Sequence, residues 1–149
     1  MIKTLTSEIE DYSKYEKNQL IFIQDKKDYR VKDVMSFTEW VKRWKDYDSI
    51  KVEGLPHSIV PDLGLKKINS VHLFVNNKGG YSFDKHCDDT NVALFCVKGH
   101  KRVHIYEKKD DELGIIHQLY KDHPMFIKKG VYHEVNSERD SWALSIGYD

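Results

Sequence analysis

Three side chains in this sequence have the types and spacing to do metal chemistry. His86-Cys87-Asp88 is a His-x-Asp pair, and His133 stands well downstream of it. On an extended strand, residues i and i+2 point to the same face, so the His86 imidazole and the Asp88 carboxylate would aim at one point. With His133 entering from a different strand, the three make the two-histidine, one-carboxylate face that holds a ferrous ion and leaves its other positions open for oxygen chemistry. The pair alone is weak: with 8 histidines and 24 acidic residues in 149, about one His-x-Asp/Glu arises by chance. A surface pair is the plain alternative.

Two further features support the metal reading. In Lys101-Arg102-Val103-His104-Ile105-Tyr106, Lys101, Val103 and Ile105 share one face, which by its apolar character is the interior one. Lys101 then ends a buried row, where a lysine is costly unless paired; a carboxylate ligand would pair it, and a place at the exposed mouth of the strand is the alternative. In Trp142-Ala143-Leu144-Ser145-Ile146-Gly147-Tyr148, one face carries only the small residues Ala143, Ser145 and Gly147. These leave room for a ligand that Ser145 could hydrogen-bond, or else they close-pack on a neighbouring strand. Cys87 alternates away from the metal, and His57, His100, His104, His117 and His123 form no ligand spacing and are expected at the surface or locally bonded.

The elements that must position these groups are mostly strands. Gln19-Leu20-Ile21-Phe22-Ile23 reads as one strand. Ser36 then caps a helix with Glu39 three residues on, and Phe37, Trp40, Val41 and Trp44 follow at helical spacing. From Ser70 the chain turns β-rich, with strands expected at Ser70–Val75, Asn91–Val97, Lys101–Tyr106, Ile115–Leu119, Met125–Ile127 and Trp142–Ile146. Turns fall at Asn76–Gly80, Lys98–His100 and Lys128–Gly130, and the run Glu107–Glu112 reads as a solvated hairpin turn. Many short strands suggest a sandwich or barrel. The length fits one domain over residues 1–149, with a polar, helical and irregular N-terminal part (1–68) packed on a β core (69–149).

Composition narrows the partners. Lys plus Arg and Asp plus Glu are both 24, so the net charge is zero and nothing global pulls the chain toward nucleic acid or an anionic membrane. No run approaches the roughly 20 apolar residues of a membrane span. Met1–Glu8 lacks the apolar core of a signal peptide. Two cysteines are too few for a disulfide framework, and a cytoplasmic location is expected.

The ordered set from His86-Cys87-Asp88-Asp89-Thr90-Asn91-Val92 to Lys98-Gly99-His100-Lys101-Arg102, with Ile127–His133 and Ala143–Tyr148, resembles the cupin-fold 2-oxoglutarate dioxygenases. Within these it is most similar to the JmjC-type hydroxylases, especially the ribosomal oxygenase branch. That family shows a His-x-Asp, a strand, a glycine turn and a lysine 15 residues after the first histidine, where Lys101 stands. The aromatic that usually follows the lysine is replaced by Val103-His104.

The resemblance implies a mainly β fold, a double-stranded β-helix (cupin or jelly-roll) core with one or two N-terminal helices. It implies Fe(II) held by His86, Asp88 and His133, with 2-oxoglutarate as cosubstrate. Lys101 would bind the distal carboxylate, and Ser145 and His72 would line the cosubstrate site. The implied reaction consumes O2 and hydroxylates a peptide side chain or an amino-acid-like small molecule, releasing succinate and CO2. A metal cupin enzyme that does not use 2-oxoglutarate, and a non-catalytic cupin binding module, remain the alternatives.

Overall fold

The computed structural model describes residues 20–25, 31–47, 49–53, 55, 57, 60, 63–77, 80–120, 123–137 and 140–149. In chain order these form β1 (Leu20–Asp25), β2 (Val31–Ser36), α1 (Phe37–Arg43), a 3-10 turn (Trp44–Asp46), β3 (Ser49–Glu53), β4 (Ile68–Asn76), β5 (Gly80–His86), β6 (Asn91–Lys98), β7 (Lys101–Tyr106), β8 (Ile115–Leu119), β9 (Met125–Ile127), β10 (Tyr132–Ser137) and β11 (Ser141–Tyr148). A seven-stranded sheet runs β2-β1-β3-β4-β11-β6-β9, and a four-stranded sheet runs β5-β10-β7-β8. The eight strands β4 to β11 divide four and four between the sheets, which is the double-stranded β-helix arrangement.

Two cores follow from strand alternation. Phe74, Val92, Leu94, Cys96, Val103, Leu119, Ile127, Val135 and Ala143 form one buried cluster. These residues come from both sheets, so this core lies between them. The other faces of β4, β6 and β11 put Val71, Leu73, Val75, Ala93, Phe95, Val97, Trp142, Leu144 and Ile146 into a second core with Trp40, Met35, Ile50 and Val52. β6 is therefore buried on both sides from Val92 to Val97, which is why its sequence is a continuous apolar run and not an alternation. Each such Val, Leu or Ile contributes about 1.5–3 kcal/mol by leaving water.

The N-terminal part differs from its irregular reading: β1, β2 and β3 extend the large sheet beyond β4. Their alternation is interrupted by a bulge between Ile23 and Gln24 and masked by charged residues on the opposite face, so only the first of them is expected from sequence. Gln19 lies outside the described residues. The helix forms where capping predicts, with Ser36 Oγ accepting from the Glu39 N–H at 3.1 Å. Trp40 is fully buried and Trp44 sits edge-on to Trp142, ring centroids 4.6 Å apart; the side chains of Phe37 and Val41 are outside those described. Asn77 ties this layer to the sheet, donating to the carbonyls of Trp44 and Tyr47 at 3.1 and 2.7 Å. No helix among the described residues is long and apolar enough to cross a membrane.

Candidate metal centre

His86 is the last residue of β5 and pairs in register with His133 of β10, which on its other side pairs with Ile105 of β7. The β5 strand is absent from the sequence-based reading, because Gly80-Tyr81-Ser82-Phe83-Asp84-Lys85 lacks a run of apolar residues. Asp88 lies beyond the strand end, so its approach to His86 comes from a loop and not from strand alternation. That loop is fixed from the opposite side: the Gly130 N–H donates to the Asp88 carbonyl at 3.1 Å, and the Lys129 N–H donates to Asn91 Oδ1 at 3.0 Å. Gly130 has φ +83°, a left-handed conformation that glycine adopts without a Cβ penalty. The Lys128–Gly130 turn thus both delivers His133 and holds Asp88.

The three groups converge. Their ligand atoms all lie within 4.8 Å of one another, with His133 Nε2 3.2 Å from Asp88 Oδ2 and His86 Nε2 3.7 Å from Asp88 Oδ1. Donors about 2.1 Å from a shared metal on an octahedral face stand about 3 Å apart, so the set is close to ligating geometry. His133 is buried, and its Nδ1 is 2.9 Å from the Val131 carbonyl. A carbonyl only accepts, so Nδ1 carries the proton and the Nε2 lone pair faces the carboxylate. Two acceptors at that distance repel; a cation between them, a proton or a metal ion, resolves the conflict. Orientation of a ligating histidine through its other nitrogen is a general feature of metal sites. Burial pushes the Asp88 carboxyl up, but a proton on His133 Nε2, which then hydrogen-bonds the carboxylate, and the nearby imidazoles of His86 and His72 outweigh this and hold it below the usual carboxylate value.

A cavity of about 290 Å³ opens on these groups, lined by Lys51, His72, Phe74, His86, Asp88, His133 and Ser145. His72 and Ser145 are cross-strand partners on β4 and β11, so two weakly marked positions of the sequence do meet the metal candidates. Burial, then the charge of Lys51, lowers the His72 pKa below the ordinary histidine value, and its Nε2 lies 3.4 Å from Glu53 Oε1. Of the small row on β11 only Ser145 lines the cavity. Ala143 belongs to the inter-sheet core, and a Cβ on Gly147 would come within 2.5 Å of Ser70 Oγ, so those two positions are small for packing.

Lys101 is on the interior face, 1% exposed, with Nζ donating to Asn76 Oδ1 at 3.1 Å. It is four residues along β7 from Ile105, the register partner of His133, and it is not among the cavity-lining side chains. Three functional candidates escaped the sequence reading: Lys51, Phe74 and Asn76. The alternation Ser49-Ile50-Lys51-Val52-Glu53 carried a signal for the first, since Ile50 and Val52 are buried on one face and Lys51 and Glu53 take the other. The expected bystanders are bystanders to the metal: His57, His100, His117 and His123 are exposed, and His104 Nε2 is bonded to Asn136.

No family model matches the sequence, and no curated protein does. Solved structures do resemble the fold. YcfD, a ribosomal oxygenase from Escherichia coli solved with cobalt and 2-oxoglutarate, aligns at TM-score 0.56 and 16% identity, over 96% of this chain and 43% of that one. The same protein with cobalt and succinic acid gives 0.56 and 17%, over 97% and 42%. A cupin superfamily protein from Desulfitobacterium hafniense gives 0.50 and 9%, over 68% and 77%. The chain thus spans less than half of the ribosomal oxygenase's length. At these identities the likeness is one of architecture, and together with the four-and-four strand arrangement it places this chain in the cupin fold, the double-stranded β-helix that the ribosomal oxygenase also has.

Proposed function

We propose that this chain, acting as a single cupin-like domain, is an Fe(II)- and 2-oxoglutarate-dependent oxygenase that hydroxylates a peptide side chain or an amino-acid-like small molecule. The observation that carries the reading is the His86-Asp88-His133 cluster, with His133 Nδ1 committed to Val131 and its Nε2 turned toward Asp88 at 3.2 Å. The fold likeness to an oxygenase solved with cobalt and 2-oxoglutarate adds support, as does the buried ammonium of Lys101 on the same interior face.

In this reading His86 and His133 through neutral ring nitrogens and Asp88 as a carboxylate would hold the metal. Lys101, steadied by Asn76, takes the distal carboxylate of 2-oxoglutarate as a charge-assisted hydrogen bond. Ser145 and His72 flank the cosubstrate from the large sheet, and Phe74 supplies an apolar wall that limits water. Iron held by these residues would, with 2-oxoglutarate and O2, supply oxidative decarboxylation to succinate and CO2 coupled to hydroxylation. A cytoplasmic setting suits ferrous iron and cysteines, Cys87 and Cys96, that form no disulfide.

A second reading, a metal cupin enzyme without 2-oxoglutarate, is favoured by the absence of Lys101 from the cavity wall. One experiment separates them. Folded protein loaded anaerobically with Fe(II) is mixed with 2-oxoglutarate and air, and succinate is followed by NMR. Succinate formation that is lost in Lys101→Met, with metal binding retained, is the expected result. Metal binding without 2-oxoglutarate binding would leave the second reading, and a folded protein that takes no metal would leave only a binding module.

A further inference from the structure

The metal cavity holds a cation that the proposed function does not use. Lys51 sits on β3, opposite Phe74 of β4 in register, and therefore shares the inner face of the large sheet with Phe74. Its side chain is 17% exposed and Nζ lies 3.0 Å from Glu53 Oε1. Removing most of an ammonium from water is costly, and an ion pair at the protein surface needs no such placement. Here the side chain lines a chamber whose other described walls are His72, Phe74, His86, Asp88, His133 and Ser145, so Lys51 is the one permanent cation among them. Glu53 instead lines an adjoining groove with Phe22, Leu55 and His57, which meets the metal cavity at His72. The pair thus stands at the boundary of two spaces, with the ammonium on the metal side.

We propose that Lys51 is a carboxylate-binding residue of the metal cavity, receiving an organic-acid group of the molecule bound beside the metal. An ammonium can serve more than one anion, and Glu53, two residues along the same strand, competes with the second for Nζ. The carboxylate belongs either to 2-oxoglutarate or to the molecule that is oxidised. The inference rests on the metal-cavity part of the proposed function and not on the use of 2-oxoglutarate.

Co(II)-loaded protein, read through its visible absorption, tests this in two arms. In the first, 2-oxoglutarate is titrated into wild type, Lys51→Gln and Lys51→Arg. In the second, acetate and glycine are titrated after saturation with 2-oxoglutarate, or directly if wild type binds Co(II) but no 2-oxoglutarate; that outcome would end the proposed function while leaving this one under test. Lys51→Gln is expected to weaken binding roughly ten- to hundredfold in one arm, with Co(II) affinity unchanged and Lys51→Arg restoring most of it. Loss in the first arm assigns the carboxylate to the cosubstrate, and loss confined to the second assigns it to the oxidised substrate. Glu53→Gln, which keeps Lys51 and removes the competing anion, is expected to tighten the same arm, and it serves as the test should Lys51→Gln fail to fold. Unchanged carboxylate binding in Lys51→Gln, or weaker binding in Glu53→Gln, would overturn the proposal.

Discussion

His133 Nε2 and Asp88 Oδ2 stand 3.2 Å apart, while the other nitrogen of the same imidazole is tied to the Val131 carbonyl. A divalent ion held between these groups would bind the folded state and not the unfolded one. Folded-state binding stabilises by about 2.7 kcal/mol at a hundredfold excess over Kd. Adding Co(II) is therefore expected to raise the melting temperature, and EDTA to reverse it. His86→Ala should abolish the metal-dependent shift with little effect on the metal-free melting temperature, because that side chain is 36% exposed. His133→Ala should abolish the shift and also lower the metal-free value, because it empties a buried site. A metal-dependent shift that survives His86→Ala would place the ion elsewhere.

Asn76 meets the Lys101 ammonium through Oδ1 at 3.1 Å, both side chains being buried. Asn76→Asp puts a full negative charge at that contact with almost no change in volume. The lysine then has an internal counter-ion, and an incoming carboxylate must displace it. The variant should remain folded, bind Co(II) as wild type does, and bind 2-oxoglutarate at least tenfold more weakly by calorimetry. Equal 2-oxoglutarate affinity in the two proteins would remove Lys101 from the cosubstrate site.

The β core was largely legible because its strands carry their own punctuation. β7, β8 and β9 fall where the apolar alternation and turns predict, and β11 exceeds its expected span by one residue at the start and two at the end. What the sequence could not show is cross-sheet geometry. His86 and Asp88 look like a strand pair but are joined by a loop that the Gly130 turn pins in place. Lys101 was readable as interior from alternation, yet its partner Asn76 lies 25 residues away inside a segment that reads only as a turn. Lys51 was hidden for a similar reason: β3 has two buried aliphatic residues, too few for a period to stand out among charged neighbours, and its membership of the large sheet depends on pairing with β1 and β4.

Asn77 joins the helical layer to the large sheet through one side chain. Its amide donates to two carbonyls, those of Trp44 and Tyr47, and its Oδ1 accepts from Trp142 Nε1 at 3.4 Å. Asn77→Ala leaves these groups without those partners and should cost about 1–3 kcal/mol in urea unfolding. Asn77→Asp should cost more than Asn77→Ala, since its carboxylate would face two carbonyl oxygens. Neither change should alter Co(II) affinity, because the metal candidates sit on other elements; a parallel loss of both would show that this layer supports the site.

Tyr47 offers a pH signature of the same layer. Its hydroxyl donates to Asp33 Oδ2 at 2.8 Å, and burial, then the hydrogen bond to and charge of Asp33, push its pKa from 10.0 up to about 12. The raised value means that the neutral phenol is favoured in the folded state. Its contribution is fully present below pH 10 and is lost as pH rises from 10 toward about 12. Tyr47→Phe removes the hydroxyl and with it this titration. The stability difference between wild type and Tyr47→Phe should therefore be constant through neutral pH and shrink across that alkaline window, measured by urea unfolding at a series of pH values. The ion pair between Asp33 and Arg43, 3.6 Å apart, is present in both proteins and cancels in the difference. A difference that stays flat to pH 12 would mean that the Tyr47 hydroxyl titrates alike in the folded and unfolded chains, and the Asp33 contact would then contribute no preference for the phenol.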